Sequence, residues 1–163
     1  TPTPTATPSP SPQPETAVQV TSRVSSAVYK ARTPFGTGSG VAISANGRIL
    51  TNYHVIADGT VTVLLAVGSI EPAAVVGYNQ LLDLAVIEIG SATPVFLPVE
   101  LGGRLSLDDE VLAIGFPFGG DLSVTGGIVS GIGAFEDTGV KYIQADATVN
   151  PGNTCNPYSA IGP

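Results

Sequence analysis

At 163 residues the chain has room for one domain or two small packed units, and 43% of it is hydrophobic against only 12% charged. Six basic residues against thirteen acidic ones give a formal net charge of −7, so nothing here could neutralise a run of phosphates, and nucleic acid is excluded as a partner. No apolar run approaches the roughly 18 residues of a membrane span, and one cysteine with one histidine leaves no internal disulfide and no zinc-type spacing, so no metal or other cofactor is implied.

Residues 1–14 read Thr-Pro-Thr-Pro-Thr-Ala-Thr-Pro-Ser-Pro-Ser-Pro-Gln-Pro. Such a tract has no apolar face and few backbone donors, so it is expected to sample polyproline II as a semi-rigid spacer. Thr/Ser/Pro tracts of this kind serve as stalks outside the cytoplasm. From residue 15 the character changes. Ala17, Val20, Val24 and Ala27 recur at spacings of three and four, which predicts a short amphipathic helix, and Val28 and Tyr29 predict a first strand over 26–32.

From residue 36 onward the pattern is all-β. Strands are predicted at 40–44, 48–51, 60–67, 73–78 and 84–89, separated by Gly, Pro, Asn or Asp. Asn46-Gly47 predicts a type I′ hairpin between the first two of these. Just past that hairpin stands the sole histidine, His54, delivered at its rim. A lone histidine is more often a hydrogen-bonded structural residue than a base. Asp83, at the edge of the apolar strand 84–89, reads alone as a turn residue or strand-end cap. Taken together, Asp83 could hold the Nδ1–H of His54 and favour the imidazolium formed during proton abstraction. Further strands are predicted at 110–115, 123–132 and 142–146.

Five ordered blocks carry a resemblance. They are Gly38-Ser39-Gly40-Val41 with Leu50-Thr51-Asn52-Tyr53-His54-Val55; Asp83-Leu84-Ala85-Val86; Val111 through Gly119 (VLAIGFPFG); Val124 through Ser130 (VTGGIVS); and Ile143 through Asn153 (IQADATVNPGN). Together the chain resembles the protease domain of the HtrA/Deg family of trypsin-like serine endopeptidases. The resemblance implies an all-β, trypsin-like double β-barrel with the active site between the barrels, a Ser-His-Asp triad, and extracytoplasmic protein quality control. It implies unfolded or extended polypeptide as substrate and a homo-oligomer as a possible assembly. The organisation expected is a stalk at 1–14, a first barrel with its helix at 15–105, and a partial second barrel at 106–163.

Carried over by position, His54 matches the family's general base and Asp83 its orienting acid, while Thr154 stands where the family has its serine. Gly152 and the backbone of Thr154 match the oxyanion hole. Val149 matches a wall of the primary specificity pocket, with a plain core residue as the equal alternative. Where the family continues Ser-Gly-Gly-Pro, this chain reads Thr154-Cys155-Asn156-Pro157. Thr154 keeps a hydroxyl but adds a β-methyl where a carbonyl must approach, and Cys155 and Asn156 replace two glycines. Cys155 lies one residue out of register for a nucleophile and reads as a plain thiol. The second half offers about three strands where a closed barrel of this type has six. The expectation is therefore a complete first barrel, an incomplete second one that leaves Ile128, Ile132 and Ile143 uncovered, and no activity from the chain as written. A catalytically dead peptide-binding module and a non-functional fragment remain as alternatives.

Overall fold

The structure, a computed structural model, describes residues 15–57, 59–65, 68–99, 105–134, 141–151 and the backbone of 159–160. It opens with α1 (Ala17–Val24), whose N-terminus is fixed by a capping box: Thr16 Oγ1 accepts from the Gln19 N–H, and the Gln19 side chain accepts from the Thr16 N–H. A 3₁₀ turn (Ser25–Ala27) leads into β1 (Val28–Thr33). The predicted helix ends earlier than its spacing implies, with Val20 and Val24 on α1 and Ala27 in the 3₁₀ turn. Val20, Val24 and Ala27 are buried while Ala17 is exposed.

Six strands then close on themselves in the order β1-β2-β3-β6-β5-β4. They are β1, β2 (Gly36–Ala42), β3 (Arg48–Thr51), β4 (Val61–Leu64), β5 (Ile70–Asn79) and β6 (Leu84–Glu88). All pairings are antiparallel, and β1 completes the ring by bonding β2 on one side and β4 on the other. The period of two sends Ile49, Val61, Val63, Ala85 and Ile87 inward, each no more than 2% exposed. Full burial of a Val or Ile side chain stabilises by roughly 1.5–3 kcal/mol, so this interior is the main source of the barrel's stability. Between Val75 and Gly77 the register on β6 slips by one residue, a β-bulge in β5.

The hairpin joining β2 and β3 departs from the sequence expectation. Asn46 has no positive φ; of the pair only Gly47 does, at +88°, so the turn is not type I′. Residues 43–47 form a longer loop instead, held from outside by the chain that follows β6. Thr93 is fully buried there. Its Oγ1 accepts from the Gly47 N–H at 3.2 Å and donates to the Ser44 carbonyl, and its own N–H donates to Ala45 O at 3.0 Å. Ile89 N–H reaches Gly47 O at 3.1 Å and Leu97 N–H reaches Ala42 O at 2.9 Å. A long-range strap thus fixes the loop, and the local Asn-Gly signal could not report it.

The second unit is a sheet of order β10-β7-β8-β9, built from β7 (Glu110–Gly115), β8 (Ser123–Ala134), β9 (Lys141–Ala145) and the two-residue β10 (Ser159–Ala160). Among the described residues it is open rather than closed. One face of β7, through Leu112 and Ile114, packs with Val20, Val24 and Val28, so α1 and the start of β1 bridge the barrel and the sheet. The other face packs Val111 and Ala113 against Val129 and Ala147. Ile132 and Ile143 sit opposite each other across β8 and β9 and are 52% and 42% exposed, and Ile128 is 37% exposed, as an unclosed barrel requires. The fourth strand was not foreseen; two residues carry no readable periodicity, and β10 exists only through its pairing with Val111 and Leu112.

Gly47 offers a direct test of the strap. A Cβ there would lie 2.5 Å from Ile89 O and 2.7 Å from Ser91 O, on a backbone already at positive φ. Gly47→Ala is expected to cost on the order of 2–3 kcal/mol, roughly 4–12 °C in thermal midpoint. Gly90→Ala, three residues from the buried Thr93 but with nothing within 4 Å, should stay within about 0.5 kcal/mol. Circular-dichroism melts of both variants check the contrast.

Candidate active site

The antiparallel pairing of β3 and β6 decides which residues meet. Thr51 sits opposite Ala85, so the residues just after β3 emerge beside those just before β6. After β3 the chain enters α2 (Tyr53–Ile56), a single helical turn. The turn can lie flat on β2 because Gly38 has no side chain; a Cβ there would come within 2.5 Å of Val55 Cγ2. Tyr53 is braced from the far side by the Tyr78 ring, centroid to centroid 4.9 Å. His54 is therefore carried on this turn and not on the rim of the β2–β3 hairpin, a correction to the sequence expectation.

Asp83 closes the β5–β6 turn with a left-handed backbone, φ 51°, a conformation Asp tolerates better than most residues. That twist aims its carboxylate at α2. Oδ1 accepts the His54 backbone N–H at 2.9 Å, and Oδ2 lies 2.7 Å from His54 Nδ1. The Asp83 carbonyl accepts the Tyr53 N–H at 3.1 Å. One acid thus binds both the backbone and the ring of the histidine, which leaves the imidazole little rotational freedom. Both side chains remain about half exposed, 50% and 43%, and so face a space a second molecule can enter. Asn52 completes the cluster: its Nδ2 donates to Asp83 O at 2.8 Å and to Asp83 Oδ2 at 3.1 Å. The sequence reading missed this role, since Asp83 lies 31 residues from Asn52 and no local pattern joins them.

The second unit comes up to the barrel through residues 116–120. Phe116 N–H donates to Ser39 Oγ at 2.9 Å, and the buried Lys30 donates from Nζ to Gly119 O at 2.9 Å, 5.0 Å from the Phe116 ring centroid. Phe118 N–H in turn donates to Pro151 O at 2.7 Å. A continuous set of hydrogen bonds therefore runs from β1 and β2 to the residue preceding Gly152. Val149 is 37% exposed and is not a core residue. Gly152, Thr154 and Cys155 lie outside the described residues, so the expected nucleophile and oxyanion positions have no geometry here. Among the described residues no group of His, Cys, Asp and Glu is placed to hold a metal ion, and no helix is long and apolar enough to cross a membrane.

A histidine locked by a carboxylate at the edge of a closed six-stranded barrel, beside a second antiparallel sheet, is the architecture of trypsin-like peptidases. The trypsin-like peptidase domain family matches residues 38–157, and the chain belongs to that family. Its relatives narrow the class to the HtrA/Deg serine proteases. The chain is 37% identical over 129 residues to the Synechocystis protein HhoB, named as a serine protease, covering 75% of this chain and 31% of that protein. It is 44% identical over 126 residues to a DegP-like protein of Pseudomonas putida named as a periplasmic serine endoprotease, covering 74% of this chain and 26% of that one. A crystal structure of the serine endoprotease from Yersinia pestis superposes with a TM-score of 0.77 at 34% identity, covering 92% of this chain and 55% of that one. The chain thus spans a quarter to a third of these curated relatives and about half of the solved structure.

The contact between the two units is testable at Ser39, which is fully buried. Ser39→Ala strips the acceptor from the Phe116 N–H, and an unsatisfied buried donor costs about 1–3 kcal/mol. The thermal midpoint should fall by a few degrees. An unchanged midpoint would show that residues 116–120 do not depend on the barrel.

Proposed function

We propose that the chain carries the catalytic base and its orienting acid of an HtrA-type serine endopeptidase, which cleaves unfolded or extended polypeptide outside the cytoplasm. The observation that supports this most is the 2.7 Å approach of His54 Nδ1 to Asp83 Oδ2, with the same carboxylate holding the His54 N–H. In this reading Nδ1–H donates to Asp83, which leaves Nε2 with a lone pair to accept a proton. The hydroxyl of residue 154 attacks the scissile carbonyl and passes its proton to Nε2. Backbone N–H groups at Gly152 and Thr154 hold the oxyanion, and the imidazolium, steadied by Asp83, then returns the proton to the leaving amine. Val149 lines the primary specificity pocket, where its size favours small or medium aliphatic side chains. The family name and the periplasmic naming of the Pseudomonas relative support the extracytoplasmic setting, and the Thr/Pro tract at residues 1–14 fits a stalk.

A polypeptide of these 163 residues alone is inactive in this account. Thr154-Cys155-Asn156 stands where the family has Ser-Gly-Gly, and positioning accounts for roughly 7–11 kcal/mol of a barrier, so a misplaced hydroxyl recovers little. The same substitution favours a second reading, a peptide-holding module without turnover.

Hydrolysis of casein by the 163-residue chain should match that of its His54→Ala form, and Thr154→Ser should not change this. Joining residues 1–153 to the Ser-Gly-Gly-Pro continuation of a related protease domain should create activity that Asp83→Asn lowers by about 10⁴-fold in kcat and His54→Ala abolishes. A folded, inactive chimera would overturn the assignment of His54 and Asp83 and leave the binding-module reading in place.

A further inference from the structure

An asparagine that precedes a helical turn ordinarily folds its side chain back onto the turn's free N–H groups. Asn52 occupies that position ahead of α2 and makes no such bond. Its carboxamide turns the other way, so that Nδ2 donates to both the carbonyl and Oδ2 of Asp83. Those two acceptors also settle the orientation of the amide, since Oδ1 in the same place would face oxygens alone. Oδ1 itself is buried with no hydrogen-bond partner among the described residues. A capping residue that gives up its cap, and buries an unsatisfied oxygen, breaks a local rule in favour of a contact with the acid.

From this we infer that Asn52 is a positioning residue, which holds the Asp83 carboxylate in the one orientation that favours the Nδ1–H tautomer of His54. Asp83 starts from a left-handed backbone, so without a clamp its turn could relax and swing Oδ2 away from the ring. The His54 N–H holds only Oδ1. Asn52 spans the Asp83 main chain and the oxygen that meets the imidazole, and so couples the backbone of the turn to the tautomer of the base. Asn52 touches no reacting atom in this scheme and acts through Asp83.

The inference rests on the reading of His54 and Asp83 as base and orienting acid, but its test reads the ring and not turnover, so it can fail while that reading stands. With one histidine in the chain, ¹⁵N-histidine labelling gives one unambiguous pair of ring nitrogens. In the wild type at a pH where the ring is neutral, Nδ1 should resonate as the protonated nitrogen and Nε2 as the bare one. Asn52→Ser keeps a residue able to cap α2 but cannot reach Asp83, and it should move the ring at least halfway toward the Nε2–H form with little loss of thermal stability. Ring shifts identical to wild type in a folded Asn52→Ser protein would overturn the inference. If that variant does not fold, the wild type still decides: a nuclear Overhauser contact between the Asn52 carboxamide protons and the His54 ring, together with slowed carboxamide exchange, is expected, and a freely exchanging carboxamide would overturn it.

Discussion

The barrel closes through β1, and the docking of the second sheet depends on that closure. β1 bonds β2 along Val28–Thr33 and β4 along Lys30, Ala31 and Arg32. Lys30 belongs to the ring by its backbone, yet its ammonium leaves the ring to bind Gly119 O. Burying an ammonium without partners costs several kcal/mol. The carbonyl of Gly119 and the face of Phe116 supply what water would have. The same strand therefore closes the barrel and sets where the second sheet docks. Gly119, with φ at +67° and Thr37 Oγ1 lying 2.5 Å from where a Cβ would stand, is the residue that lets the two units approach this closely.

A second constraint lies in the pairing of β3 with β6. β3 and β6 are neighbours, so their exits are neighbours, and a one-turn helix and a left-handed aspartate meet without any long loop. The Asp83 carboxylate and carbonyl together take donors from Asn52, Tyr53 and His54. Because all these partners leave adjacent strands, the geometry is a product of the sheet register. A one-residue slip of β6 along β3 would separate them and turn the buried Ile87 outward in the same step. Fold stability and the placement of the base are thus one property of this chain.

The sequence carried the parts that depend on local pattern. The alternation around Ile49, Val61 and Ile87 announced strands, and the spacing of Val20 and Val24 announced α1, although Ala27 falls in the 3₁₀ turn beyond it. The pairing of His54 with Asp83 was suggested by the chemistry of the two side chains and given its role by the resemblance, since 29 residues separate them and no periodicity links them. Two errors share one cause. β2 begins at Gly36, four residues earlier than expected, because Gly36 and Gly38 look like turn residues until β1 is laid beside them. The β2–β3 loop is shaped by Thr93, 46 residues from Gly47. Asn52 was invisible for the same reason: its partner, Asp83, is 31 residues away in sequence and leaves the neighbouring strand.

Hydrogen exchange of two backbone amides tests most directly whether the barrel itself holds the base in place. The N–H groups of Tyr53 and His54 lie in the first turn of a four-residue helix, where such donors ordinarily have no intrahelical acceptor and exchange quickly. Here both are bonded to Asp83. The account predicts protection of these two amides within about tenfold of the β3 amides of the barrel wall, and its loss in Asp83→Ala. Exchange of Tyr53 and His54 at the rate of an open loop, while β3 stays protected, would contradict it.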